Sequence, residues 1–157
     1  MRSRTLFAFV WLGLMSIPVL AGTATCTVST SGVAFGSFEP LNRASADMNG
    51  TISVTCTGAP GDSANYTITI SPGLGSFAAR RMVSGSDALI YNLYKDQACT
   101  QVWGDTSDGS TSVVTDSVTL SGTSVTKNYT AFGRIAAGQN TAKAHGYADS
   151  LIVTVSY

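Results

Sequence analysis

Asp149-Ser-Leu-Ile-Val-Thr-Val-Ser-Tyr157 places Leu151, Val153, Val155 and Tyr157 on one face of an extended chain, and Ile152, Thr154 and Ser156 on the other. A period of two in β-branched and aromatic residues is the pattern of a half-buried strand. It is the best strand signal in the 157 residues, and it is also the last segment of the sequence. A bare sheet edge invites pairing with another chain. The expectation is two-sided: either this strand lies between two others, or a second chain completes the sheet beside it.

Working outward, the same short period recurs. Thr51–Cys56 alternates Ile52, Val54 and Cys56 against hydroxyl residues, and Tyr66–Ser71 sets Tyr66, Ile68 and Ile70 on one face. Leu89–Lys95 carries large side chains on both faces, which suits the inside of a sandwich or a face against a partner. Thr25–Ser29 with Gly32–Phe38, Phe77–Val83, Val113–Leu120 and Lys127–Ile135 complete the set, the last two expected to pair across Ser121–Ser124. Asn49-Gly50, Gly58–Gly61, Pro72–Ser76 and Asp105–Gly109 read as turns. No helical period of useful length interrupts them. The spacing predicts an all-β fold, an antiparallel β-sandwich of seven or eight strands.

The first 21 residues stand apart from this pattern. Arg2 and Arg4 precede a nearly unbroken apolar run, Leu6–Leu20, and Val19 and Ala21 occupy the −3 and −1 positions of a small-residue cleavage site. That is the form of a secretory signal peptide cut after Ala21, and the run is shorter than the ~20 residues a spanning helix needs. The expected mature chain, residues 22–157, forms one exported domain with no membrane span. Without Arg2 and Arg4, seven basic residues face nine acidic ones, and no basic stripe exists to attract nucleic acid. Glu39 is the single glutamate, and Ser, Thr, Gly and Val crowd the chain, as suits short strands and tight turns.

Three cysteines allow three pairings. Cys26 opens the first strand and Cys56 closes the second, so a Cys26–Cys56 bridge is expected to tie neighbouring strand ends, leaving Cys99 over. Catalytic or cofactor chemistry finds little support. His145 is the lone histidine, in a turn context, and no serine or cysteine lies in a nucleophile pattern. Asp105–Gly109 lacks the ligand spacing and closing glutamate of a calcium loop. Arg80-Arg81 reads as a solvated pair or a gatekeeper beside a strand. The expectation is no enzyme, no metal and no cofactor.

The residues do resemble a family. Cys26-Thr-Val-Ser, Val33-Ala-Phe-Gly36 and Gly50-Thr-Ile-Ser-Val-Thr-Cys56 are similar to the spore coat protein U domain. So are Tyr91-Asn-Leu-Tyr94, Val102-Trp-Gly-Asp105, Phe132-Gly-Arg-Ile135 with Gly138-Gln139, and Tyr147–Tyr157, in order along the whole mature chain. That family includes subunits of archaic chaperone–usher pili of the Csu type, which mediate surface attachment and biofilm formation, and a coat protein of spores. The resemblance implies an immunoglobulin-like sandwich lacking its last strand. A periplasmic chaperone would lend that strand, an outer-membrane usher would direct assembly, and another subunit would then supply the strand permanently, at the cell surface. On that implication Leu151, Val153, Val155 and Tyr157 border the acceptor groove. Only Gly22–Thr25 precedes Cys26, too short to act as a donor strand, so an accepting terminal or tip position, or a coat protein, is the corresponding expectation. From another class, a monomeric carbohydrate-binding module would use an exposed Trp103 or Tyr94, although a sandwich usually buries such a tryptophan.

Overall fold

The computed structural model describes residues 22–42, 44–139, 143 and 146–157; the leader expected over 1–21 and His145 lie outside the described residues. Eight strands run in chain order: β1 Thr25–Ser31, β2 Ala46–Thr57, β3 Ser63–Ile70, β4 Arg80–Ser84, β5 Asp87–Tyr94, β6 Val114–Thr119, β7 Ser124–Ile135 and β8 Val153–Ser156. A 3₁₀ turn, Pro40–Asn42, sits between β1 and β2. No helix among the described residues is long and apolar enough to cross a membrane.

The strands form two antiparallel sheets, ordered β1-β2-β7-β5-β4 and β6-β3-β8. Their facing sides make an immunoglobulin-like sandwich. The alternation in the sequence fixes which side faces in: Ile52, Val54 and Cys56 of β2, Ala64, Tyr66, Ile68 and Ile70 of β3, and Leu89, Tyr91 and Leu93 of β5 are all buried. Each valine, leucine or isoleucine among them contributes about 1.5–3 kcal/mol on removal from water. Trp103 is 1% exposed and donates its indole N–H to the Ile68 carbonyl at 3.0 Å. Cys26 and Cys56 are register partners and are bonded, S–S 2.06 Å. Closing a loop of that length contributes about 3–4 kcal/mol.

Three expectations are corrected. β6 and β7 do not pair: β6 joins β3 in one sheet, whereas β7 lies between β2 and β5 in the other. The short connection crosses between layers, and local pattern carries no signal for that. Asn49-Gly50 is not a turn but part of β2. Gly50 faces inward there because a side chain would meet Val33 Cγ2 at 2.8 Å and the Ser31 carbonyl at 2.9 Å. Gly32–Phe38 forms no strand; it is an irregular cover whose Val33, Phe35 and Phe38 pack on the core.

Candidate functional site

Among the described residues β8 pairs with β3 on one side only, Ile70 opposite Val153 and Thr67 opposite Ser156, and ends the three-stranded sheet as an edge. The Ser71 N–H donates to the Ile152 carbonyl at 2.9 Å. Antiparallel bonding alternates, so Ile152, Thr154 and Ser156 turn their main-chain groups toward β3, and Val153 and Val155 turn theirs outward. The same two valines point their side chains inward, half-buried, while Thr154 and Ser156 are exposed and Ile152 is 70% exposed. The outer edge of β8 thus presents main-chain donors and acceptors above an apolar face.

Beside this edge lies a cleft of about 340 Å³ between the two sheets. Leu151 and Val153 form one wall, and Thr30, Ser31 and Val33 at the end of β1 form the other. The floor is the inner core itself: Ile52, Ile70, Leu93 and Ala131. β1 ends the five-stranded sheet as β8 ends the three-stranded one, so the cleft runs between two sheet edges. A second hollow, of about 700 Å³, continues under the Gly32–Phe38 cover and shares Val33, Phe35, Met82 and Tyr147 with the first. The cover is seated on purpose-made space: a side chain on Gly133 would meet Val33 Cγ1 at 2.8 Å and Phe35 Cζ at 2.9 Å. Phe35 also stacks edge-on against Tyr91, with ring centroids 5.9 Å apart.

Polar ties hold the rim. Tyr91 Oη donates to Asp149 Oδ2 at 2.7 Å, and the Leu74 N–H donates to Asp149 Oδ1 at 3.2 Å. Burial, then the hydrogen bond to Asp149, pushes the Tyr91 hydroxyl well above the ordinary tyrosine range, so it stays a donor. Behind the floor, Arg80 is fully buried. Its guanidinium donates to Asn92 Oδ1 at 2.5 Å, to the Trp103 carbonyl at 2.7 Å and to the Ser71 carbonyl at 3.0 Å, and lies 5.3 Å from the Phe77 ring centre. Desolvation lowers its pKa from the ordinary arginine value. Arg80 therefore fastens β4, in one sheet, to the end of β3 that carries β8 in the other. The sequence offered Arg80-Arg81 as a surface pair; Arg81 is exposed and Arg80 is not.

Of the expected groove residues, Leu151 and Val153 line the cleft, and Val155 packs against the core without lining it. Tyr157 is 54% exposed and lies outside the cleft. Cys26 and Cys56 sit at the far end of β1 and β2, away from it. Burial of Trp103 removes the aromatic platform a sugar module would need, and Tyr94 is half-buried. Asp105 and Asp108 accept main-chain N–H groups of Ser107, Ser110 and Thr111 within their own turn, as a turn reading requires. No group of three or more metal-ligating side chains converges among the described residues.

Residues 13–154 match the family described as the Spore Coat Protein U domain. None of the curated proteins matches the chain. Among solved structures it is similar to a chain of the crystal structure of the CsuC–CsuE chaperone–tip adhesion subunit pre-assembly complex, from archaic chaperone–usher Csu pili of Acinetobacter baumannii. The TM-score is 0.56 at 20% identity, over 85% of this chain and 40% of that one. The chain thus spans less than half the length of the solved chain it matches.

Proposed function

This chain belongs to the Spore Coat Protein U domain family, and we propose that within it the molecule is an exported structural subunit of a chaperone–usher pilus, assembled by accepting a strand. The observation that carries this is the unpaired edge of β8 beside an apolar cleft between the sheets. An extended segment laid along that edge would exchange main-chain hydrogen bonds with Val153 and Val155. Its alternate side chains would descend between Leu151 and Val153 on one wall and Val33 on the other. The periplasmic chaperone would lend the first such segment, the usher would receive the complex, and another subunit would supply the permanent strand at the cell surface. Surface attachment and biofilm formation would follow from the fibre. The resemblance to a chaperone–subunit pre-assembly complex supports this at the level of fold.

Thermal melting with and without a synthetic peptide of alternating aliphatic residues tests it. A peptide at about a hundred times its Kd should raise the melting temperature by about 5–10 °C, and the chain should co-purify with its chaperone from the periplasm. A stable monomer indifferent to both would overturn the proposal.

A further inference from the structure

The cleft lies at the end of β1 and β3; the opposite ends of those strands carry a second built feature. The Gly22 main-chain nitrogen lies 2.8 Å from Asp62 Oδ1. The neighbouring residues are stitched down as well: Ser63 N–H donates to the Gly22 carbonyl at 3.3 Å, Ala24 N–H donates to the Ser63 carbonyl at 3.1 Å, and Ala24 is fully buried. Asp62 Oδ2 accepts the Ala59 N–H at 2.8 Å, closing the turn before β3. The carboxylate sits between two glycines. A side-chain carbon on Gly22 would come within 2.7 Å of Oδ1, and one on Gly58 within 2.6 Å of Oδ2. No lysine or arginine among the described residues forms an ion pair with Asp62.

We propose that Asp62 is the receptor for the α-ammonium of a processed chain beginning at Gly22. Val19 and Ala21 supply the small residues that a leader peptidase recognises, and Gly22 is the residue that follows. Hydrolysis of the Ala21–Gly22 peptide bond consumes one water and leaves a carboxylate on Ala21 and an amine on Gly22. That amine takes a proton from solvent, since an α-amino group ordinarily titrates near 8. Before cleavage, Asp62 receives a neutral amide N–H; afterwards it receives a cation at the same place, which adds charge–charge attraction to a bond the carboxylate already assists. Gly58, Ala59, Ser63 and Leu120 pack around this corner, and none of them carries a charge beside Asp62. A nearby carboxylate raises the amine's pKa. The contribution to stability is then complete below pH ~8 and is lost as the pH rises through the raised value.

The test uses the full chain exported with its own leader. Intact mass should place the first residue at Gly22. The α-carbon shift of the terminal glycine, followed by NMR against pH, should titrate about one unit above the ordinary α-amino value. Asp62→Asn should return it to about 8. Should that variant fail to fold, an alanine inserted between Ala21 and Gly22 moves the amine off Asp62 and should also restore the ordinary value. A mature chain starting elsewhere, or a Gly22 amine titrating normally with Asp62 intact, would overturn the proposal. None of these readouts depends on strand acceptance at β8.

Discussion

Val33 occupies the space above Gly133: a carbon added to that glycine would come within 2.8 Å of a Val33 methyl. One residue of an irregular connection is thereby locked to the middle strand of the larger sheet, and one wall of the cleft depends on the lock. Gly133→Ala should overpack this contact and lower stability by about 1–3 kcal/mol, read as a lower urea midpoint. Gly122→Ala, at a glycine with open space around it, is the control and should leave the midpoint in place.

Val153 and Thr154 are adjacent, yet proline should affect them oppositely. The Val153 N–H points away from β3, so Val153→Pro removes a donor the isolated fold does not use. The variant should melt close to the wild type but lose the peptide-induced rise in melting temperature. Thr154→Pro deletes an N–H directed at Thr69 and should destabilise the free chain itself. Equal behaviour of the two variants would remove the outward-facing edge from consideration.

Arg80 serves acceptors from both sheets through one planar guanidinium. Arg80→Met should leave the Ser71 and Trp103 carbonyls without this donor and Asn92 Oδ1 with only the Leu93 N–H, costing about 2–4 kcal/mol in denaturant unfolding. Arg80→Lys keeps the charge but lacks the planar fork, so it should recover only part of the loss.

Asp116 supplies a pH dependence of known sign. Tyr129 Oη donates to it at 2.6 Å and Lys127 Nζ at 2.9 Å, and these bonds hold its carboxyl down to about 2. Its unfolded value is near 3.9. The stabilisation is therefore complete above pH ~4 and is lost as the pH falls through about 2. The stability gap between wild type and Asp116→Asn, measured by urea melts at successive pH values, should be open at pH 6 and close between pH 4 and 2.

The sequence made the inner face of β8 legible because Leu151, Val153 and Val155 keep strict alternation in residues that favour strands. The pairing of Cys26 with Cys56 was legible for a related reason: each lies in an alternating run, and the two runs are neighbours in the chain. Gly50 was misread as a turn residue, since its role is to make room for Val33, a partner that local pattern does not reveal. Arg80 was misread for the same physical cause. A charged side chain looks exposed until the carbonyls of Ser71 and Trp103, contributed by other parts of the chain, are known to converge on it. The cleft required the end of β1 and the edge of β8 to be set side by side across two sheets. No stretch of sequence contains that juxtaposition.

The covalent tie between Cys26 and Cys56 has a mechanical side. A pull entering along β1 from Gly22 reaches Cys26 near the start of that strand and crosses an S–S bond directly to β2. β2 is held along all twelve of its residues by β7. The load is then borne in shear by many main-chain hydrogen bonds at once, instead of peeling β1 away one pair at a time. Under tension the bridge acts as a coupling that bypasses the edge strand β1 and delivers force to β2 and β7, the pair joined over the longest register of the sheet.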